Sequence, residues 1–240
     1  MTSKILPVKN PEQFDWETVE NHLHSKGFTQ IKNVLTADEC ARLASQYDNH
    51  ALYRKTIAME RYRFGLGEYK YFAYPLPQTV QHLRQTFYPR LAPVANEWMR
   101  QLGQPHRYPA DFETFQNLCR AQGQDKPTAL ILKYGPGGHN TLHQDLYGEV
   151  FFPIQMVIFL NQAGQDYTGG EFVLVQQTPR AQSKAIVLKP DQGDILLFTT
   201  NFRPAAGSRG YYRVNMKHGV SEVLTGERFT LGVIFHDALS

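Results

Sequence analysis

The sequence predicts an α+β protein whose centre is a double-stranded β-helix, the jelly-roll barrel, with N-terminal helices packed against its outside. Two observations predict it. From Thr128 onward seven apolar runs arrive in turn, TALILKY, FFPIQMVIFL, GGEFVLVQ, KAIVLK, DILLFTT, YYRVNMKHGV and RFTLGVIF, each short and separated from the next by Gly, Pro, Asn or Asp. Runs of this length, rich in Val, Ile, Leu, Phe and Tyr, are the pattern of an antiparallel sandwich or barrel. Before residue 128 the apolar residues fall instead at helical spacing, so residues 1–127 read as a mixed helical region integral to the domain and residues 128–240 as its double-stranded β-helix core.

Within the first region GFTQIKNVL reads as a short strand. Thr36 and Glu39 have the spacing of a capping box in front of ADECARLASQYDN, which makes that segment a helix. The stretch PLPQTVQHLRQTFYPRLAPVANEWMRQLG is helical in pattern but holds Pro89 and Pro93, which predicts two helices or one kinked helix. DFETFQNLCRAQG is a further helix.

A chain of 240 residues with 42% hydrophobic and 20% charged residues is long enough to bury a sizeable core, and one domain with an elaborated N-terminal half is the simplest organisation. The start, MTSKILPVKN, lacks the apolar run of a signal peptide, and no segment reaches the roughly 18 uncharged apolar residues of a membrane span. A cytoplasmic protein with no membrane partner is expected. Cys40 and Cys119 are too few for a disulfide framework or a thiolate metal site and are expected as buried thiols. A net charge of +3 permits attraction to polyanions without demanding it.

The chemistry begins at LHQDLYGE, residues 142 to 149, which follows the glycine-rich KYGPGGHNT. A strand projects residues i and i+2 from one face, so His143 and Asp145 can aim at one point. His218, in MKHGV near the end of a later strand pattern, is the best third ligand. Two histidines and one carboxylate on one face of a metal leave other positions open for a cosubstrate and dioxygen, the arrangement of non-haem iron(II) oxygenases. His-x-Asp alone is a weak signal, but ten residues after His218 stands Arg228, with Thr230 on the same strand face. A buried guanidinium offers a planar fork to a carboxylate and a neighbouring hydroxyl adds one more bond, which would hold a dicarboxylic cosubstrate by its far end. Tyr134, at the end of TALILKY, has a phenol able to reach the same carboxylate, and reads equally well as a core tyrosine. His139 sits in a glycine turn and reads as solvent-facing; His236 reads as structural.

KYGPGGHNTLHQD, TGGEF, GDILLF, KHGV and GERFTLG, taken together and in this order, resemble the Fe(II)/2-oxoglutarate-dependent dioxygenase superfamily over roughly residues 128 to 237. The resemblance implies iron(II) on His143, Asp145 and His218, with 2-oxoglutarate salt-bridged to Arg228. TGGEF, GDILLF and the ten-residue step to the basic residue look like the prolyl-4-hydroxylase branch, which typically carries lysine where this chain has Arg228. HQD followed by Glu149 is similar to the AlkB-type nucleic-acid demethylases, whose second distal arginine is replaced here by Ile234. The whole chain, including GLGEYKYFAYPLP and YRVNMKHGVSEV, resembles a bacterial family described as oxygenases that oxidatively demethylate damaged DNA.

Two segments bear on the substrate. ERYRFGLGEYKYF interleaves Arg61, Arg63 and Lys70 with Tyr62, Phe64, Tyr69, Tyr71 and Phe72, and its glycines suggest a loop able to close over the site. Aromatic faces that stack on bases beside cations that track phosphates are the means of single-strand binding; a half-buried loop covering the barrel mouth has the same composition. NFRPAAGSRGYYR places Arg203, Arg209 and Arg213 around Tyr211 and Tyr212, either as a basic rim for an anionic substrate or as solvated arginines. Three functions follow: an oxygenase acting on a damaged or modified nucleic-acid base in single-stranded or damaged nucleic acid, a protein or small-molecule hydroxylase of prolyl-4-hydroxylase type, and a non-enzymatic barrel that binds. An intact triad with a matched basic residue argues against the last.

Overall fold

A computed structural model describes residues 11–240. The opening decapeptide, on which the expectation about a signal peptide rests, lies outside the described residues. Helix α1 (Trp16–Lys26) begins where the Asp15 carboxylate accepts the Thr18 N–H, and is followed by strand β1 (Phe28–Ile31). Helix α2 (Ala37–Ser45) opens on the capping box read in the sequence, with Thr36 and Glu39 each taking the other's backbone N–H. Strands β2 (Tyr53–Ala58), β3 (Gly65–Leu66) and β4 (Glu68–Phe72) come next.

Helix α3 (Gln78–Gln101) is one continuous helix with Pro89 and Pro93 inside it. The two prolines lie four residues apart on the exposed face, while Leu91, Ala92, Val94 and Ala95 between and beside them are buried. The missing N–H groups therefore leave carbonyls turned toward water, and the core face stays intact. Helix α4 (Phe112–Ala121), capped by Asp111, completes the helical layer.

The barrel strands are β5 (Leu130–Tyr134), β6 (His139–His143), β7 (Ile154–Phe159), β8 (Tyr167–Gly169), β9 (Phe172–Gln177), β10 (Lys184–Leu188), β11 (Ile195–Thr199), β12 (Phe202–Gly207), β13 (Gly210–Val220), β14 (Val223–Gly226) and β15 (Arg228–Val233). They form a seven-stranded sheet in the order β1-β11-β7-β15-β5-β4-β2 and a second sheet in the order β10-β9-β13-β6-β3, with β12 on β13 and β14 paired to β8. All the ladders are antiparallel. The jelly roll is thus the fold, with the helices outside it.

Period-two alternation decides which side chain faces where. On β7 and β11, Met156, Ile158, Ile195 and Leu197 pack into the core beneath the helices, whereas Val157, Phe159, Leu196 and Phe198 fill the space between the sheets. A strand buried on both faces reads as a continuous apolar run, which is why FFPIQMVIFL and DILLFTT show no alternation in sequence. Each fully buried Leu or Phe contributes about 1.5–3 kcal/mol. The helical layer, which buries Leu83, Phe87, Leu91 and Trp98 completely, is therefore a substantial part of what stabilises the sheet it covers.

One local expectation is corrected. GLGEYKYF is not a closing loop: residues 68–72 are β4, bonded to β2 on one side and β5 on the other. Flanking glycines imitated a loop signal, while Tyr69 and Tyr71 kept the alternation of a strand.

Candidate metal centre and cosubstrate pocket

His143 and His218 are direct cross-strand partners on β6 and β13. Antiparallel partners share a face, so the imidazoles meet with ring centroids 4.1 Å apart. The next aligned pair is Val220 with Asn140, so two steps on β13 span three on β6. This bulge, at Thr141 and Leu142, sets the phase that brings His143 over His218. Asp145 lies past the end of β6, not on a strand as its spacing implied. Its carboxylate nevertheless faces both rings, with Oδ1 3.6 Å from His143 Nε2 and Oδ2 3.2 Å from His218 Nε2. One ligand atom from each of the three lies within 4.8 Å of the others.

The surroundings prepare these groups for a cation. His143 Nδ1 is 2.8 Å from the Thr141 carbonyl oxygen, an acceptor, so the ring proton sits there and the Nε2 lone pair points to the cluster. Asp145 is held from both sides: the Tyr147 hydroxyl donates to Oδ1 at 2.9 Å and Gln155 Nε2 to Oδ2 at 3.0 Å. Burial alone would raise the Asp145 pKa, but the imidazoles of His143 and His218 and the Tyr147 bond outweigh it and hold the carboxyl well below the usual carboxylate range. Burial, with the neighbouring His143 ring, lowers the pKa of His218, which sits between Phe172 and Phe198. An ionised Asp145 carboxylate and a neutral His218 imidazole are the protonation states that a divalent metal binds.

Beside the cluster runs a cavity of about 300 Å³ that His143, Asp145, His218, Arg228, Thr230 and Tyr134 all line. Arg228 and Tyr134 are partners across β15 and β5, and Thr230 follows on the same face as Arg228. Arg228 is 1% exposed, lies about 5.5 Å from the ring centroids of Tyr134 and Phe159, and has only a long 3.5 Å approach to Thr230 Oγ1. Its Nε and Nη2 have no hydrogen-bond partner among the described residues. A buried guanidinium with unpaired N–H groups is costly unless an anion meets it. Gly170 of TGGEF makes room for it: a Cβ there would lie 2.9 Å from Arg228 Cδ and from Val223 Cγ2, at a backbone φ of +64°. Tyr134, completely buried, accepts a bond from Asn140 Nδ2 at 3.3 Å, and burial pushes its phenol up to about 12.

The substrate candidates separate. Tyr69 and Tyr71 line the cavity. Lys70 between them is buried on the other face, its Nζ donating to the Tyr47 carbonyl and lying 3.9 Å from the Tyr47 ring centroid. Arg61 and Arg63 are exposed on the turn before β3. Arg203 is corrected: it is buried, donates to Pro204 O and Gln176 Oε1 at 3.1 Å each, and does not line the cavity. Arg209 and Arg213 are exposed on the β12–β13 hairpin and also do not line it; the Arg213 guanidinium lies 4.0 Å from the Phe202 ring centroid. His139 opens β6, half-buried with Nδ1 3.0 Å from Gly137 O, while His236 is buried and accepts the Phe152 N–H.

Two contributors escaped the sequence reading although each left a trace. Tyr147 continues the His143, Asp145 spacing by one more step of two. Gln155 is the lone polar residue in FFPIQMVIFL and is buried.

Residues 67–238 match a protein family described as "Oxygenase, catalysing oxidative methylation of damaged DNA". The chain belongs to this oxygenase family. It is therefore an enzyme. Uncharacterized proteins from two strains of Mycobacterium tuberculosis are each 38% identical to it over 223 residues, covering 93% of this chain and 91% of the relative. Among solved structures, this oxygenase shares its fold with a Pseudomonas putida prolyl-4-hydroxylase (TM-score 0.55, 15% identity, covering 90% of this chain and 96% of that one). It is similar likewise to a prolyl hydroxylase from Trichoplax adhaerens in complex with a peptide fragment of hypoxia inducible factor (TM-score 0.57, 16% identity, 92% and 89%). A 2OG-Fe(II) oxygenase family oxidoreductase from Burkholderia pseudomallei gives 0.55 and 15%, covering 94% of each chain. No helix among the described residues is long and apolar enough to cross a membrane.

Proposed function

We propose that the protein is a cytoplasmic iron(II)- and 2-oxoglutarate-dependent dioxygenase that oxidatively demethylates a damaged or modified nucleic-acid base, with residues 128–240 as the catalytic core and 1–127 integral to the same domain. The observation that carries it is one cavity wall holding both the His–Asp–His cluster and a buried guanidinium with two unpaired nitrogens. The integral role of the first region is supported by β1, β2 and β4, which extend the sheet formed by the later strands. Free, buried Cys40 and Cys119 are in keeping with a reducing compartment.

In this reading His143, Asp145 and His218 hold the iron, and Arg228, with Thr230 and Tyr134, holds the far carboxylate of 2-oxoglutarate. Iron(II) with 2-oxoglutarate, when bound, supplies dioxygen activation, coupling decarboxylation to succinate with oxidation of one substrate C–H bond. The chain's own residues do the placing. Tyr147 and Gln155 fix both oxygens of Asp145, Thr141 fixes the His143 tautomer, and Tyr69 and Tyr71 give the cavity aromatic walls beside the aliphatic Leu132. A methyl carbon on nitrogen, once hydroxylated, loses formaldehyde as its C–N bond breaks and the nitrogen takes up a proton. The family description speaks of oxidative methylation, whereas oxygenation at an N-methyl group runs toward its removal, and removal is what we propose. The base as substrate is supported by that description and by the aromatic walls, which suit a flipped base.

A second reading, a protein or small-molecule hydroxylase of prolyl-4-hydroxylase type, is favoured by TGGEF, GDILLF and the ten-residue step from His218 to Arg228. One assay separates them: succinate formation from 2-oxoglutarate with methylated oligonucleotides, peptides and free amino acids, each with iron(II) and again with a chelator. Succinate and formaldehyde evoked by a methylated oligonucleotide and stopped by the chelator are expected. Stimulation by a peptide alone moves the function to the second reading, and no iron-dependent succinate with any of them refutes the dioxygenase.

A further inference from the structure

The aromatic and basic segment before β4 serves two different places. Tyr69 and Tyr71 are cavity wall, whereas Phe64 is 44% exposed and Tyr62, which does not line the cavity, is 53% exposed. Their rings are stacked on each other, centroids 5.5 Å apart and planes within 19°. Neither ring belongs to a hydrophobic cluster of the described residues, so the pair does nothing for the core. Phe64 lines the cavity at its mouth, which puts one end of the stack against the site.

The backbone fixes the pair to the strand that carries His143. The Thr141 N–H and hydroxyl both donate to the Phe64 carbonyl, at 2.9 and 3.0 Å, and the Thr141 carbonyl is the acceptor for His143 Nδ1. Gly65 allows the approach: it pairs with Asn140, its φ is +134°, and a Cβ there would lie 2.2 Å from His139 O. Arg61 and Arg63, on either side of Tyr62, are exposed and have no ion pair or side-chain hydrogen bond among the described residues; Glu60 is the lone acid between Met59 and Phe64.

We propose that Tyr62 and Phe64 form a stacking platform for the nucleotide next to the one whose base is oxidised, with Arg61 and Arg63 meeting the adjacent phosphates, so that the enzyme takes a single strand. This rests on the base-oxidising function proposed above and adds to it the form of the nucleic acid. Two unpaired cations beside an exposed flat aromatic pair complement a polyanion that has a free π-face at every step. In a duplex the neighbouring base is stacked on both sides until the target base is flipped out, so a face reaches the platform only at the cost of unpairing and unstacking.

Binding is measured by anisotropy on the full-length protein with manganese(II) and 2-oxoglutarate under nitrogen, using a labelled methylated mononucleotide, a trinucleotide with that base in the centre, and the same sequence in a duplex. The wild type is expected to bind the trinucleotide more tightly than the mononucleotide and than the duplex. The double variant Tyr62→Ala, Phe64→Ala loses that gain, roughly 5- to 150-fold for a stacked base, and Tyr62→Trp keeps it. Arg61→Ala lowers the dependence of log Kd on log salt by about 1. A gain that survives in the double variant overturns the platform while leaving base oxidation standing. A duplex bound as tightly as the single strand overturns the strand preference. A wild type that binds none of the three while turning over a peptide overturns the platform together with the function it rests on.

Discussion

Arg228 and Tyr134 face each other across the β15–β5 ladder, with the guanidinium carbon 5.5 Å from the tyrosine ring centroid and Nε and Nη2 unpartnered among the described residues. A charge buried this way is a debt that a carboxylate ligand settles. Truncating one partner of a buried, hydrogen-bonded charge pair costs about 2–5 kcal/mol. Arg228→Met should therefore raise the apparent KM for 2-oxoglutarate by roughly 30-fold or more. The wild type should gain melting temperature on adding 2-oxoglutarate with manganese(II), and the variant should not. An equal shift in both proteins would remove Arg228 from the cosubstrate site.

The Tyr147 hydroxyl that donates to Asp145 Oδ1 holds the carboxylate in place without touching a ligand of its own. Outer partners of this kind are worth about 10- to 100-fold in metal affinity. Tyr147→Phe should weaken cobalt(II) binding, followed by absorbance, by about tenfold, while Asp145→Ala should abolish it together with turnover. Unchanged affinity in Tyr147→Phe would show that Gln155 alone orients the carboxylate.

Removal of the metal gives a separate check on the cluster. Chelator-treated protein should keep its fold, because Val157, Leu174, Leu196 and Val214 between the sheets and Leu83, Phe87 and Trp98 beneath the helices pack apolar side chain on apolar side chain. Circular dichroism of the metal-free protein should match that of the loaded one, activity should return with iron(II), and His218→Ala should not recover it. A collapse of the spectrum on chelation would show that metal is part of the folding core.

Arg84 and Asp237 are both fully buried and paired at 2.7 Å, and the Tyr74 hydroxyl donates to the same carboxylate. Breaking a buried pair leaves a charge without a partner and costs about 3–5 kcal/mol. Asp237→Ala should lower the urea midpoint accordingly with little change in slope; a midpoint unmoved would mean that water reaches Arg84.

Cys40 and Cys119 are free and completely buried, and burial pushes their thiols up to about 12 and about 11. Thiolate is the reactive form, so the native protein at pH 8 should resist a thiol reagent, with two equivalents reacting in denaturant. Rapid labelling of either cysteine in native protein would contradict the packing around α2 and α4.

The barrel was legible in the sequence because its strands are punctuated by turn residues, and the meeting of His143, Asp145 and His218 because His-x-Asp, weak alone, is followed in order by KHGV and GERFTLG. The burial of Arg228 was legible through its distance from His218 and its place in a strand pattern. Strand β4 was not, since Gly65 and Gly67 signal a loop more loudly than a five-residue alternation signals a strand. The burial of Arg203 was not legible either, because nothing in FRPAA announces that Gln176 and the Pro204 carbonyl will receive its fork. Tyr147 and Gln155 were visible only as a spacing and as a polar intruder, and a hydrogen-bond role needs the third dimension to be read.

The bulge at Thr141 and Leu142 has a consequence for how this chain can change length. The ladder already carries a surplus residue there, so losing Thr141 or Leu142 would leave a regular ladder with His143 still opposite His218, whereas losing Gly219 from β13 would set His218 and Val220 on opposite faces. Insertions and deletions should accumulate in the β12–β13 hairpin and other exposed turns, and be shunned between His218 and Val220. A catalytically silent descendant of this protein could thus differ from it by a single missing codon.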